Sequence, residues 1–141
     1  MQIRRIMTSN VSTLEPNSTI GDAARIMRDL NVGSVPVCQG RKPVGIVTDR
    51  DITIRSIANG GDSNTPVNQV MSSKLVSGSP DMSDREAARI MAEHQIRRLP
   101  IVENGELVGM LSLGDLAVRS ETDMEAGEAL SEISIPSRPQ R

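Results

Sequence analysis

The sequence predicts a mixed α/β (α+β) fold in which a β-α-β-β-α unit occurs twice, the two copies packing together with pseudo-twofold symmetry. Three observations lead there. The stretch Gly45-Ile46-Val47-Thr48-Asp49-Arg50-Asp51 returns 64 positions later as Gly109-Met110-Leu111-Ser112-Leu113-Gly114-Asp115, with glycine, two apolar residues, a hydroxyl and an aspartate kept in place. The register holds without a gap from Ile6-Met7 against Val70-Met71 to Arg55-Ser56 against Arg119-Ser120, so that Pro16 meets Pro80 and Pro36 meets Pro100. A chain of 141 residues is also one ordinary domain, or two repeats each too small to bury a sufficient core alone. The expected layout is repeat one over 1–60, a polar, glycine-rich linker over 61–66, repeat two over 67–121 and an acidic tail over 122–141.

Each copy opens with a short extended piece, Val11 to Leu14 and Leu75 to Ser77, that runs into a proline, where a ladder or helix would lose its backbone donor. A helix follows. Ser83-Asp84-Arg85-Glu86 has the spacing of a capping box, in which hydroxyl and carboxylate exchange bonds with free backbone amides, and Thr19-Ile20-Gly21-Asp22 is a weaker version. Ala23, Ile26, Met27 and Leu30 then fall at i, i+3, i+4 and i+7, as do Ala87, Ile90, Met91 and His94, which sets one face of each helix toward a core.

Two β-rich runs come next in each copy, Ser34 to Cys38 with Pro43 to Thr48, and Leu99 to Val102 with Glu106 to Ser112. Asn104-Gly105 supplies the positive φ angles of a two-residue hairpin turn, and Gln39-Gly40 is expected to serve in the first copy. A second helix leaves from Asp49 or Asp51, carries Ile52, Ile54 and Ile57, and stops at Asn59-Gly60-Gly61; Leu116 and Val118 open its counterpart. Thr65-Pro66 restarts a short helical turn toward Val70-Met71. Beyond Ser120 one helix is expected over Met124 to Ile133, then a disordered end at Pro136-Ser137-Arg138-Pro139.

A net charge of −2 and a pI near 5.4 give no global positive field for nucleic acid or anionic lipid, so any anion site must be local. Phe, Tyr and Trp are absent, which excludes base stacking on aromatic platforms and leaves the core to aliphatic residues and eight methionines. With one cysteine, Cys38, and one histidine, His94, neither an internal disulfide nor a zinc cluster of nitrogen and sulfur ligands is expected. Cys38 aligns with Val102 in a strand and reads as a small buried hydrophobe. A signal peptide and an apolar run of roughly 20 residues are both missing, so a cytoplasmic location is expected.

The repeated order of strand, helix, two strands and helix, with an apolar-Pro-apolar step (Val35-Pro36-Val37; Leu99-Pro100-Ile101) and then Gly-x-apolar-Thr/Ser-x-x-Asp beginning nine residues after each proline, resembles a tandem CBS-domain pair, or Bateman module. The resemblance covers about Gln2 to Ser120 and leaves no stretch for a catalytic domain. It implies a stand-alone regulatory protein, not an enzyme, that binds adenosine-containing ligands (AMP, ADP, ATP or S-adenosylmethionine) in clefts between the repeats. No further cofactor is implied. A homodimer and a regulated protein partner of unstated identity are the expected associations, with neither nucleic acid nor membrane among them.

Carried over residue by residue, the resemblance assigns Gly45, Thr48, Asp49 and Asp51, with Arg97, Arg98, Leu99 and Pro100 from the other repeat, to one cleft. Gly109, Ser112 and Asp115, with Gly33, Ser34, Val35 and Pro36, would form the other. Thr48 and Asp51, or Ser112 and Asp115, would contact phosphate and ribose, while backbone around each proline borders the adenine. The chemistry suits those roles. A carboxylate has two acceptor oxygens for the two ribose hydroxyls, a strand that ends where a helix begins presents free amides to an anion, and Gly45 would let a ligand or a neighbouring strand approach the backbone. Arg97 and Arg98 could fork onto phosphate oxygens, which Gly33 and Ser34 cannot do, so the first cleft is expected to prefer charged nucleotides and the second to bind less charged adenosyl compounds or nothing.

The same Thr-x-x-Asp and Ser-x-x-Asp spacing suits a capping box whose whole task is to start a helix. A second function therefore stands beside the sensor: a ligand-independent dimerisation or scaffold module.

Overall fold

The computed structural model describes residues 1–117 and Ile133. Val118 and, apart from Ile133, the expected tail helix lie outside the described residues. The described chain is a mixed helix and strand structure with two repeats, each built on a two-stranded sheet. It divides into two compact units that do not follow the linear order of the repeats. A first-repeat unit comprises Val11–Leu75 and Asn104–Leu107; a second-repeat unit comprises Met1–Asn10, Val76–Glu103 and the described chain from Val108.

In the first-repeat unit, α1 (Ile20–Leu30) starts at Thr19, whose hydroxyl accepts from the Asp22 amide (3.1 Å) while the Asp22 carboxylate accepts from the Thr19 amide (3.0 Å). The reciprocal box thus closes at the start of the helix where the weaker version was expected. Asn31 in the left-handed region (φ 55°) ends the helix, and Leu30, expected on the buried stripe, turns out 54% exposed. β1 (Ser34–Gln39) and β2 (Lys42–Thr48) pair antiparallel. Gln39 pairs with Lys42, so the turn is Gly40-Arg41, one residue later than expected, and Gly40 alone carries positive φ (62°), the sign pattern of a type II′ turn. A register shift between Val37 and Cys38 absorbs the difference.

The second helix departs most from expectation. After α2 (Asp49–Asp51) the chain widens into a π-turn over Ile52–Ser56 and tightens to a 3₁₀ turn over Ile57–Asn59, closed by Gly60 at φ 86°. Three consecutive β-branched residues, Ile52, Thr53 and Ile54, crowd an ordinary α-turn. Ile52 packs on the core, whereas Ile54 (51%) and Ile57 (54%) are exposed. The 3₁₀ turn Val67–Gln69 then leads to Ser72, which pairs with Ile46 in both directions (2.9 Å). Leu14, Ile20, Ala23, Met27, Val35, Val37, Val47, Val67 and Val70 form the core. Each fully buried valine, leucine, isoleucine or methionine of this kind contributes about 1.5–3 kcal/mol relative to exposure.

The second-repeat unit begins with a 3₁₀ turn, Ile3–Arg5, whose amides reach Met82 (3.0 Å) and Pro80 (2.9 Å), and continues to Thr8, which pairs with Met110 (2.9 Å). α3 (Asp84–His94) is capped by the Ser83 hydroxyl, which accepts from the Glu86 amide at 3.1 Å. β3 (Arg98–Glu103) and β4 (Glu106–Ser112) form the second hairpin, with Asn104 (φ 54°) and Gly105 (φ 78°) in the expected turn, and α4 (Leu113–Ala117) follows. Ile3, Ile6, Ala87, Ala88, Met91, Leu99, Ile101, Leu111 and Leu116 make the core. In both repeats the expected leading strand is a single parallel bridge, Leu14 with Val37 and Gly78 with Ile101, because Pro16 and Pro80 follow too soon for a ladder to extend.

Candidate functional site

The register of β1 on β2 places Ser34 opposite Thr48, Val35 opposite Val47 and Pro36 opposite Ile46. Gly33 closes that end, its carbonyl accepting from the Asp49 amide at 3.0 Å. One end of the hairpin therefore carries Gly33, Ser34, Thr48, Asp49 and Asp51 together. Thr48 and Asp51 form a reciprocal capping box: the hydroxyl accepts from the Asp51 amide (3.0 Å), and Asp51 Oδ2 accepts from the Thr48 amide (2.9 Å). Asp51 Oδ1 faces away from this box, 3.7 Å from Arg55 Nε, and Arg55 Nη1 donates to the Val70 carbonyl at 3.4 Å. Asp49 is exposed; its Oδ1 accepts from the Arg50 amide (2.8 Å), and its Oδ2 lies 3.3 Å from where a Cβ on Gly33 would stand.

The second-repeat unit repeats the construction with different side chains. Ser112 Oγ accepts from the Asp115 amide (3.0 Å), and Asp115 Oδ2 accepts from the Ser112 amide (2.8 Å). The Leu113 amide donates to the Arg97 carbonyl at 2.8 Å, the counterpart of Asp49 on Gly33. Arg97 is exposed and Arg98 half-buried where β3 begins. The capping role is thus realised at both motifs, and each hydroxyl–carboxylate pair stands at a strand-to-helix junction beside the residues that precede the prolines.

Val35, Pro36, Leu99 and Pro100 are buried, so their side chains belong to the cores and only backbone is available to a ligand. Even there the Pro36 and Pro100 carbonyls already accept from the Leu14 and Gly78 amides, both at 2.9 Å. Gly45 lies deeper in the hairpin, opposite Val37, and the segment at Met71 and Ser72 approaches its backbone closely: a Cβ there would stand 2.7 Å from Met71 Sδ and 2.8 Å from the Ser72 carbonyl oxygen. Gly109 is held in the same way by Met7 Sδ (2.5 Å) and the Thr8 carbonyl oxygen (3.0 Å). These methionines were readable only as core filler, although their equivalence in the repeat register was a signal. Arg55 also escaped notice, hidden in a helix expected to be regular. Among the described residues no three His, Cys, Asp or Glu side chains gather to hold a metal ion, and no helix is long and apolar enough to cross a membrane.

The family description "CBS domain" matches residues 3–57 and 67–121. The CBS domain-containing protein YhcV of Bacillus subtilis is 50% identical over 132 residues, covering 94% of each chain. Among solved structures, a CBS domain protein of Pyrobaculum aerophilum complexed with AMP is 27% identical with a TM-score of 0.79, covering 90% of this chain and 98% of its own. Hypoxic Response Protein I, solved with two coordinated zinc ions, is 31% identical with a TM-score of 0.78, covering 84% and 98%.

Proposed function

The chain belongs to the CBS-domain family, and from that premise we propose that it senses an adenosine-containing ligand and signals the bound state to a protein partner. Tandem CBS proteins are regulatory ligand-binding modules, and the AMP complex of the Pyrobaculum relative supports an adenine nucleotide as the ligand class here. The observation that carries the reading is the doubled arrangement of Thr48 with Asp51 and Ser112 with Asp115 at strand-to-helix junctions, each beside the residues before a core proline. In this reading Thr48 with Asp51 and Ser112 with Asp115 take phosphate and ribose, Arg97 and Arg98 favour a phosphate-bearing nucleotide, and Gly33 and Ser34, which carry no charge, favour a less charged adenosyl compound.

Engagement of Asp51 by ribose hydroxyls is compatible with its capping role, because Oδ1 keeps acceptor capacity while Oδ2 holds the Thr48 amide. Signalling then follows from differential affinity: a ligand that binds one conformation better shifts the population by that difference and no more. The chain acts as a binding module without turnover and as a homodimer.

Thermal melts with AMP, ADP, ATP and S-adenosylmethionine test the sensor. A ligand that binds the native state raises Tm with concentration, by about 2.7 kcal/mol of stability at a hundredfold excess over Kd. Flat melts at millimolar ligand overturn the sensor and leave the ligand-independent scaffold, for which the completed capping boxes already give the motifs a purpose.

A further inference from the structure

The two strand-to-helix junctions differ in charge: the first carries Asp49, Arg50 and Asp51, the second Arg97, Arg98 and Asp115. Gly33 corresponds to Arg97 and Asp49 to Leu113, and the same backbone bond joins each pair, Asp49 to Gly33 at 3.0 Å and Leu113 to Arg97 at 2.8 Å. With no side chain on Gly33, the Asp49 carboxylate lies over the start of β1: Oδ2, Cγ and Oδ1 stand 3.3, 3.6 and 3.7 Å from the missing Cβ. The family resemblance groups Asp49 with Thr48 and Asp51, yet its charge sits on Gly33, in the set assigned to the other ligand.

We propose that Asp49, lodged against Gly33, is a specificity-determining residue that excludes phosphate from the Gly33–Ser34 end of the β1–β2 hairpin and restricts the ligand there to a neutral or cationic adenosyl compound. This rests on the reading above and adds an active element to it. Missing arginines would merely fail to attract phosphate, whereas a carboxylate within a few ångströms repels it and raises the free energy of any complex that buries both anions. At the other junction Leu113 contributes no charge, and Asp115 only repeats Asp51, so Arg97 and Arg98 face one carboxylate fewer. Asp49 is free to discriminate because its fold contribution is small: one oxygen accepts from the neighbouring Arg50 amide, a bond asparagine can also accept.

The full chain tests this with amide-resolved NMR titrations of AMP, adenosine and inorganic pyrophosphate. In the native protein, pyrophosphate shifts the Arg97 and Arg98 amides and leaves Gly33 and Ser34 in place. Asp49→Asn brings Gly33 and Ser34 into the pyrophosphate response and raises AMP affinity there by about tenfold, with adenosine affinity changed less than about twofold. Leu113→Asp lowers the response at Arg97 and Arg98 by a similar factor, and Asp29→Asn, which removes an exposed acid of α1 that pairs with Arg28, changes nothing at either place. If Asp49→Asn leaves the Gly33 and Ser34 amides as silent to pyrophosphate as before, and the ratio of AMP to adenosine affinity unchanged, the proposal is overturned while nucleotide sensing stands. If neither AMP nor adenosine binds but the pyrophosphate pattern follows residues 49 and 113, nucleotide sensing falls and the electrostatic assignment stands.

Discussion

Met71 Sδ lies 2.7 Å from the point where a Cβ on Gly45 would stand, so the segment that leads into the second repeat is seated directly on the repeated motif of the first. Ser72 pairs with Ile46 beside this contact. Met7 and Thr8 are seated in the same way on Gly109 and Met110. The glycine that begins each motif is therefore required by packing, whatever the aspartate at its end binds.

Gly45→Ala and Gly109→Ala each introduce a methyl group where sulfur and a carbonyl oxygen already stand, and each is expected to destabilise by about 1–3 kcal/mol, the usual cost of overpacking. Trimming Met71 to alanine relieves only part of the Gly45→Ala penalty, because the Ser72 carbonyl oxygen remains 2.8 Å away. Gly114 is the control: a Cβ there meets nothing closer than Ser112 Oγ at 3.6 Å, so Gly114→Ala is neutral or mildly stabilising. Urea midpoints at constant slope measure all four.

Elements with a strict local rule were legible in the sequence, and those set by their surroundings were not. The 3.6-residue stripe located α1 and α3, and Asn104-Gly105 located its turn, because spacing or φ sign alone decides them. Gly40-Arg41 was misplaced by one residue because Gln39 stays in the ladder opposite Lys42, a choice made by the register shift at Cys38. The π-turn over Ile52–Ser56 was hidden because three isoleucines suggest an apolar helix face, and spacing does not show that only Ile52 reaches the core. Of the candidate site, the motif residues were nameable from the repeat. The position of the Asp49 carboxylate on Gly33 was not, since it depends on how one strand end meets one helix start.

Thr48→Ala removes the acceptor of the Asp51 amide and costs about 1 kcal/mol of stability in ligand-free protein, whereas Thr48→Ser retains the bond and costs much less. If Thr48 also contacts ligand, Thr48→Ala loses more of the AMP-induced Tm increase than this stability loss explains, and Thr48→Ser keeps it. Equal AMP-induced shifts in the native protein and Thr48→Ala would confine the residue to capping.

Asp22 gives the stability a carboxylate-dependent edge at low pH. The Thr19 amide, then Arg25 and the Thr19 hydroxyl, hold its carboxyl below the usual range. The unfolded chain, titrating near 3.9, binds the proton first as pH falls, so this stabilisation is complete above about pH 4 to 5 and is lost as pH drops through the lower folded value. Stability should therefore fall more steeply below pH 4 in the native protein than in Asp22→Asn, as read by urea unfolding across pH 2 to 6. Parallel curves would remove Asp22 from the acid response.

Ser56 and Gly61 make the last case, in which a buried hydroxyl is tolerated because of a glycine. Ser56 is 2% exposed, and its Oγ is, among the described residues, a buried polar atom without a hydrogen-bond partner. The Gly61 amide donates to the Ser56 carbonyl at 2.8 Å, and a Cβ on Gly61 would overlap Ser56 Oγ while standing 3.0 Å from that carbonyl oxygen and 3.1 Å from Thr65 Oγ1. Burying a hydroxyl without a partner costs about 1–3 kcal/mol, so Ser56→Ala is expected to hold or raise the urea midpoint, unlike most core truncations. Gly61→Ala alone lowers it by about 1–3 kcal/mol through overpacking. Combined with Ser56→Ala, most of that loss returns, because the atom the new methyl group strikes is gone and only the carbonyl and Thr65 contacts remain. The coupling in the double-mutant cycle measures the overlap directly. Additive effects would mean that the Gly61→Ala loss comes from the Ser56 carbonyl and Thr65 contacts and not from the hydroxyl.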